Sequence, residues 1–177
     1  MPDPSGLRFV SPAMRILENE HRYLSFLMGE WHAIVLSFEQ DDPLSLEESR
    51  RRVKELRRLI LDFKVPLAKH TLKEEAHFFP LLGTYIGFEQ GPLVGIQQEH
   101  TEIDGYLGHF LYHTEGDIDL LPLSKIASAV RDAGEAFEVL TVHFVKEETV
   151  IFPMAEGQLS EPDTRRLYSR MNTLITQ

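Results

Sequence analysis

The sequence predicts an all-α protein: an up-and-down four-helix bundle with a short C-terminal extra helix. Three observations carry this. Apolar residues recur at helical spacing along four long segments, while the alternation of a half-buried strand is nearly absent. Proline, glycine and capping residues separate the segments by short connections, as antiparallel neighbours in a bundle require. The 177 residues, 42 % of them hydrophobic, suffice for one sizeable core. A single domain over 1–177 is therefore expected, with its bundle core over about 11–156 and a tail helix over about 160–175.

Segment A opens at Ser11-Pro12, a cap residue followed by the proline favoured in a first turn, and runs towards Phe38. Leu17, His21, Leu24, Leu27 and Met28 share one broad stripe of it. Asp41, Asp42 and Pro43 end it. Segment B runs from Ser45, which forms a capping box with Glu48, to about Tyr85, and Pro66 inside it predicts a kink. Gly87, Gly91 and Pro92 make the next connection. Segment C spans about Pro92 to Glu115, and Gly116 to Leu121 breaks it. Segment D spans about Pro122 to Ala155. The tail helix starts near Ser160 and includes Leu167, Met171 and Leu174.

Composition excludes several functions. With 18 basic against 28 acidic residues the formal net charge is −10, so nucleic acid and anionic membrane are not expected partners. The run Arg50, Arg51, Arg52, Lys54, Arg57 and Arg58 reads as a solvated helix face. The absence of cysteine removes disulfides, thiolate metal sites and thiol nucleophiles. No apolar stretch is long enough to span a bilayer, and Met1-Pro2-Asp3-Pro4 lacks the start of a secretory signal. A cytoplasmic location is the expectation.

The chemistry lies in an internal repeat. Segment B carries His70-Thr71-Leu72-Lys73-Glu74-Glu75-Ala76-His77-Phe78-Phe79-Pro80. Segment D carries His143-Phe144-Val145-Lys146-Glu147-Glu148-Thr149-Val150-Ile151-Phe152-Pro153, with six of eleven positions identical. A Glu-His pair precedes each copy: Glu20-His21 in segment A and Glu99-His100 in segment C. The chain reads as two helical hairpins of one plan.

His and Glu four residues apart project from the same helix face. A lone pair of this kind is ordinarily a surface ion pair or a cap. Two copies, with one further His on each remaining helix, place four imidazoles and two carboxylates around one small volume. A single ion rarely takes six such side chains, whereas two ions sharing bridging carboxylates do. Without metal, buried carboxylates there need partners or a raised pKa, so the metal-free bundle should be looser. The metal ligands expected are His21, His70, Glu74, His100, His143 and Glu147. Lys73 and Lys146 read as solvated companions, and Glu75 and Glu148 as facing solvent rather than orienting imidazoles.

This pattern, with both Glu-Glu doublets and the Phe-Pro endings, resembles the hemerythrin-like (HHE) cation-binding domain family from segment A to segment D. The resemblance implies a non-haem di-iron centre: two iron ions per chain, oxo- or hydroxo-bridged, with Glu74 and Glu147 as bridges and the four histidines as terminal ligands. Manganese or zinc also suits this donor set. The implied partner is a small diatomic such as O2 or NO, since family members bind oxygen reversibly or sense oxygen, iron, redox state or nitric oxide.

Two departures stand out. Oxygen-carrying members place a second histidine one turn along the third helix, where this chain has Asp104. Their fourth-helix His and carboxylate are spaced one residue wider than His143 and Glu147. Asp104 is then a seventh ligand, an acceptor behind the ligands, or an ordinary polar residue. As a ligand it would favour the oxidised state and make oxygen release less reversible.

Other residues carry less. His77 shares the His70 face but reads as a core or hydrogen-bonded histidine, and His32, His109 and His113 as lying away from the site. Gly105 and Gly108 read as tight helix packing, in preference to a small channel near the metals, at a cost in helix propensity. Phe63, Phe78, Phe79, Phe110, Phe144 and Phe152 read as core. The resulting expectation is a di-iron binding protein that binds or senses oxygen, another diatomic or redox state. An oxidase or peroxidase-like enzyme ranks below it because no organic-substrate pocket is legible, and a metal-dependent interaction module below that.

Overall fold

The computed structural model describes residues 4–177, so Met1, Pro2 and Asp3, where a secretory signal would begin, lie outside the described residues. Four long helices form: α1 (Pro12–Ser37), α2 (Leu46–Lys73), α4 (Pro92–His113) and α5 (Leu123–Lys146). A π-helical turn, Glu74–Phe78, joins α2 to α3 (Phe79–Ile86), and a second, Glu147–Ile151, joins α5 to α6 (Phe152–Gln158). The short α7 (Glu161–Met171) follows. Within the four-helix bundle α1 packs on α2 and α5, α4 lies along α5, and α7 covers α1 and the first π-turn.

The helices start and stop for local reasons, with two exceptions. Ser45 Oγ accepts from Glu48 N–H at 3.1 Å as expected, while the Glu48 carboxylate turns to Arg51 and Arg52. Gly87 (φ +88°) ends α3 and Gly116 (φ +84°) follows α4, backbone that only glycine adopts cheaply. Ser11, by contrast, makes no side-chain cap. The Glu156 carboxylate on α6 instead accepts from Val10 and Ser11 N–H, both at 2.6 Å, and ties the start of α1 to the far end of the chain.

The break in segment B also falls elsewhere than expected. Helix α2 runs through the buried Pro66, and the departure from α-geometry comes at Glu74. Pro80 explains the position. It cannot donate to the helix ladder, and its ring crowds the carbonyl one turn back. Widening the preceding turn relieves both, and Phe79 N–H reaches Glu74 O, five residues earlier. Pro153 does the same in the second copy, where Phe152 N–H reaches Glu147 O.

Buried apolar residues form two clusters. One runs along the bundle through Leu24, Trp31, Ile60, Phe63, Leu107, Phe110 and Leu140. The other gathers Met14, Leu17, Phe78, Phe79, Ile96 and Phe152 at the end closed by α3, α6 and α7. Helices α1 and α4 cross the boundary between them at a histidine: His21 between Leu17 and Leu24, His100 between Ile96 and Ile103. Apolar layers thus seal a polar layer above and below. Among the described residues no helix is long and apolar enough to cross a membrane.

Candidate metal centre

Six side chains meet in that layer. His21 comes from α1, His70 from α2, His100 from α4 and His143 from α5, while Glu74 and Glu147 are the first residues of the two π-turns. All six are buried, the two carboxylates completely. Starting a π-turn at the Glu changes the rotation of everything after it, so the His and Glu point inward while Phe79 and Phe152 still return to the core.

The donors fall into two groups of four, each with its atoms within 4.8 Å of one another: His21, His70, Glu74 and Glu147, and Glu74, His100, His143 and Glu147. Each carboxylate serves both groups with a different oxygen. Glu74 Oε1 lies 3.1 Å from His70 Nε2 and its Oε2 lies 3.2 Å from His100 Nε2. Glu147 Oε1 lies 2.8 Å from His143 Nε2 and its Oε2 lies 3.0 Å from His21 Nε2.

These spacings suit a shared cation. Ligands about 2.0–2.2 Å from one ion stand roughly 3 Å apart at the corners of its coordination polyhedron. Several of these atoms face one another without hydrogen-bond geometry. Of ten buried side-chain polar atoms without a hydrogen-bond partner among the described residues, seven lie here: both nitrogens of His21, His70 Nε2 and all four oxygens of Glu74 and Glu147. Buried carboxylate oxygens and imidazole nitrogens facing one another in this way demand positive charge between them, from a cation or from protons. Two candidate His/Glu clusters therefore fit a dinuclear metal site.

Carboxylates also stand behind the imidazoles. His70 Nδ1–H donates to Glu20 Oε1 at 3.0 Å, His143 Nδ1–H to Glu99 Oε2 at 2.9 Å, and His100 Nδ1–H to Glu75 Oε1 at 2.5 Å. Glu148 Oε1 faces His21 Nδ1 at 3.8 Å and pairs with Arg8 at 3.2 Å. Such partners fix the ring and keep Nε2 aimed inward. Glu75 and Glu148 thus do more than face solvent, the outcome favoured on sequence. Sequence reasoning also assigned no role to Glu20 or Glu99, although the repeated Glu-His pairs were the signal. Each Glu orients the histidine of the next helix, not the one beside it.

The two halves are covered differently. Lys73 is buried: its Nζ donates to Glu20 Oε2 and to Thr173 O, both at 2.5 Å, which corrects its reading as solvated and ties the C-terminal segment over this half. Its counterpart Lys146 pairs with Glu99 but stays half exposed, as expected. A cleft of about 270 Å³ between α2, α4 and α5 reaches His100, His143 and His70 from outside, with Leu67, Ile103 and Phe144 as apolar wall. Phe144 stacks on His21 at 4.1 Å between centroids, and Phe79 stacks on His100 at 5.8 Å.

Burial alone would lower the pKa of His70, but Glu74, Glu20 and Glu147 outweigh it and raise it to about 10. Burial likewise opposes a charged His143, yet Glu147, Glu74 and Glu99 bring it up to about 9. His100 is raised against its burial, chiefly by Glu74. Burial would raise Glu74, and the His70 and His100 imidazoles hold it well below the usual carboxylate range. Protons thus supply the positive charge that the two carboxylates demand.

The remaining expected residues lie outside both clusters. Asp104 is exposed and lines the cleft, away from the six donors. His77 is half-buried below α7, with Nδ1 buried and without a hydrogen-bond partner. His32 stacks on Phe137 at 3.4 Å, and His109 and His113 are exposed. Gly105 and Gly108 do not serve tight packing: a Cβ at either would meet nothing within 4 Å. The basic run is not simply solvated either. Arg50 donates to Leu121 O and Arg57 to Leu111 O and Thr114 Oγ1, fastening the connection after α4. The six core phenylalanines are all buried.

Comparison with known proteins agrees with the geometry. Neither the curated proteins nor the solved structures yield a significant match. The family model for the Hemerythrin HHE cation binding domain, however, matches residues 13–155, which include all six donors and both π-turns. On a match over most of its length, the chain belongs to the hemerythrin HHE cation-binding domain family.

Proposed function

We propose that this chain holds two iron ions, one in each His/Glu cluster, and binds or senses a small diatomic such as O2 or NO. His21 and His70 serve one ion, His100 and His143 the other, and Glu74 and Glu147 bridge them. The observation that carries this is the division of each carboxylate, one oxygen to each cluster. When bound, the pair of ions supplies electrons and coordination positions for the diatomic.

The protein's own residues set the conditions. Bridging carboxylates on two π-turns hold the two positions at one separation. Glu20, Glu75 and Glu99 keep three Nε2 atoms aimed inward. Phe79, Phe144 and Phe152 exclude bulk water. With the C-terminal segment over the His70 side, an external ligand arrives through the cleft at His100 and His143. Asp104 sits in that cleft and is assigned no ligand role; it would act on what enters.

Hemerythrin-like domains are typically non-catalytic, and binding or sensing is the first reading. The cleft is roomier than a diatomic needs, which favours a second reading, an oxidase or peroxidase-like activity on a small substrate. Elemental analysis of protein purified without chelator, followed by anaerobic iron loading and O2 or NO titration, tests both. About two irons per chain with a reversible optical change supports the first. Catalytic turnover supports the second. Failure to take up iron refutes both.

A further inference from the structure

A furrow on this acid-rich surface has no acid among its described lining residues. Two adjoining concavities, of about 280 and about 160 Å³, follow the seam between the first π-turn and α7 and share His77 and Arg170. Arg166 completes the first, and Lys69 and Lys73 the second. Among the described residues no Asp or Glu lines either one, in a chain with 28 acidic residues against 18 basic.

The donors there are unspent. Among the described residues neither Lys69 nor Arg170 has a hydrogen-bond or ion-pair partner. His77 Nδ1 is buried and unpartnered. Arg166 gives one nitrogen to Asp163 at 3.2 Å, and Lys73 is held by Glu20 and Thr173 O, so their charges are largely balanced where they stand. Lys69 and Arg170 remain as unpaired like charges, and an anion seated between them would relieve their repulsion.

We infer that this furrow binds a small phosphate-bearing molecule. A guanidinium, an ammonium and an imidazole N–H around one hollow match a tetrahedral dianion with several acceptor oxygens better than a single carboxylate. The hollow exceeds a bare phosphate, and Leu81 and Leu167 offer apolar wall to an organic remainder. None of the furrow's residues belongs to either His/Glu cluster, and Lys73 alone connects to them, through Glu20.

The test is an NMR titration of the full chain, metal-free and zinc-loaded, with inorganic phosphate and with phenyl phosphate. Saturable shifts confined to residues 69–77 and 166–174 are expected, with phenyl phosphate the tighter and its Kd below about 1 mM. Arg170→Gln and Lys69→Gln should each weaken binding roughly tenfold or more. Arg170 is exposed and Lys69 only partly buried, so both variants should fold. No saturation by about 10 mM overturns the site. So does binding indifferent to both variants, or binding seen only with zinc present, which would place the anion on the metal. Tighter binding of hexaglutamate than of either phosphate would reassign the furrow to acidic peptides and overturn it as well.

Discussion

Filling the centre with metal must expel protons, and the structure sets how many. In the metal-free protein His70 carries a pKa raised to about 10 and His143 one raised to about 9; in both, neighbouring carboxylates overcome the burial that opposes charge. At about pH 7.5 both are protonated. Each imidazole must lose its inward proton to ligate, so loading both positions with zinc, which avoids redox chemistry, releases about two protons per chain from His70 and His143. Two protons make apparent affinity rise roughly a hundredfold per pH unit near neutrality. Calorimetric titration in two buffers of different ionisation enthalpy counts them.

Stability runs the other way without metal. These folded pKa values stand above the unfolded value of about 6.5, so their contribution is complete below that pH and is lost as pH rises through about 9 and 10. The metal-free protein should therefore melt lower at about pH 9.5 than at about pH 6.5. Release of fewer than about one proton, or a melting temperature that climbs over this window in the metal-free form, would refute the reasoning.

Other consequences follow from the same contacts. Glu20→Gln and Glu99→Gln keep their shape but weaken the hold on His70 and His143, so metal affinity against a competing chelator should fall by about 10–100-fold with circular dichroism unchanged. Lys73→Met breaks a buried pair and should cost about 3–5 kcal/mol in denaturant unfolding, whereas Lys146→Met, half exposed, should cost about 1 kcal/mol or less. Equal costs would show that the covering C-terminal segment does not distinguish the two halves. Gly105→Ala fills open space on α4 and should gain about 0.5–1 kcal/mol, read as a melting temperature a few degrees higher.

Much of this protein is legible one helix at a time. The stripe Leu17, His21, Leu24, Met28 and the His-x-x-x-Glu repeat both follow from a period of 3.6 residues, which any helix obeys before it meets a partner. The short connections then leave few ways to fold four such stripes inward, and the six donors converge as the spacing requires. Ser45, Pro92 and Gly87 mark their helix ends from local backbone rules. Even the π-turns leave a trace in Phe79-Pro80 and Phe152-Pro153, although the sequence alone directs suspicion to Pro66.

Packing between helices decided the rest. Glu20 lies beside His21 in the chain yet serves His70 across the bundle, and Glu99 likewise serves His143. Glu156 replaces Ser11 as the cap of α1 from 145 residues away, and Arg50 spends itself on a carbonyl 71 residues distant. Lys73 and Lys146 occupy the same place in the repeat, but only Lys73 is buried, because the C-terminal segment covers one half of the site alone. Spacing along a chain fixes which residues share a face. What that face meets depends on the position of another segment, which no local period contains.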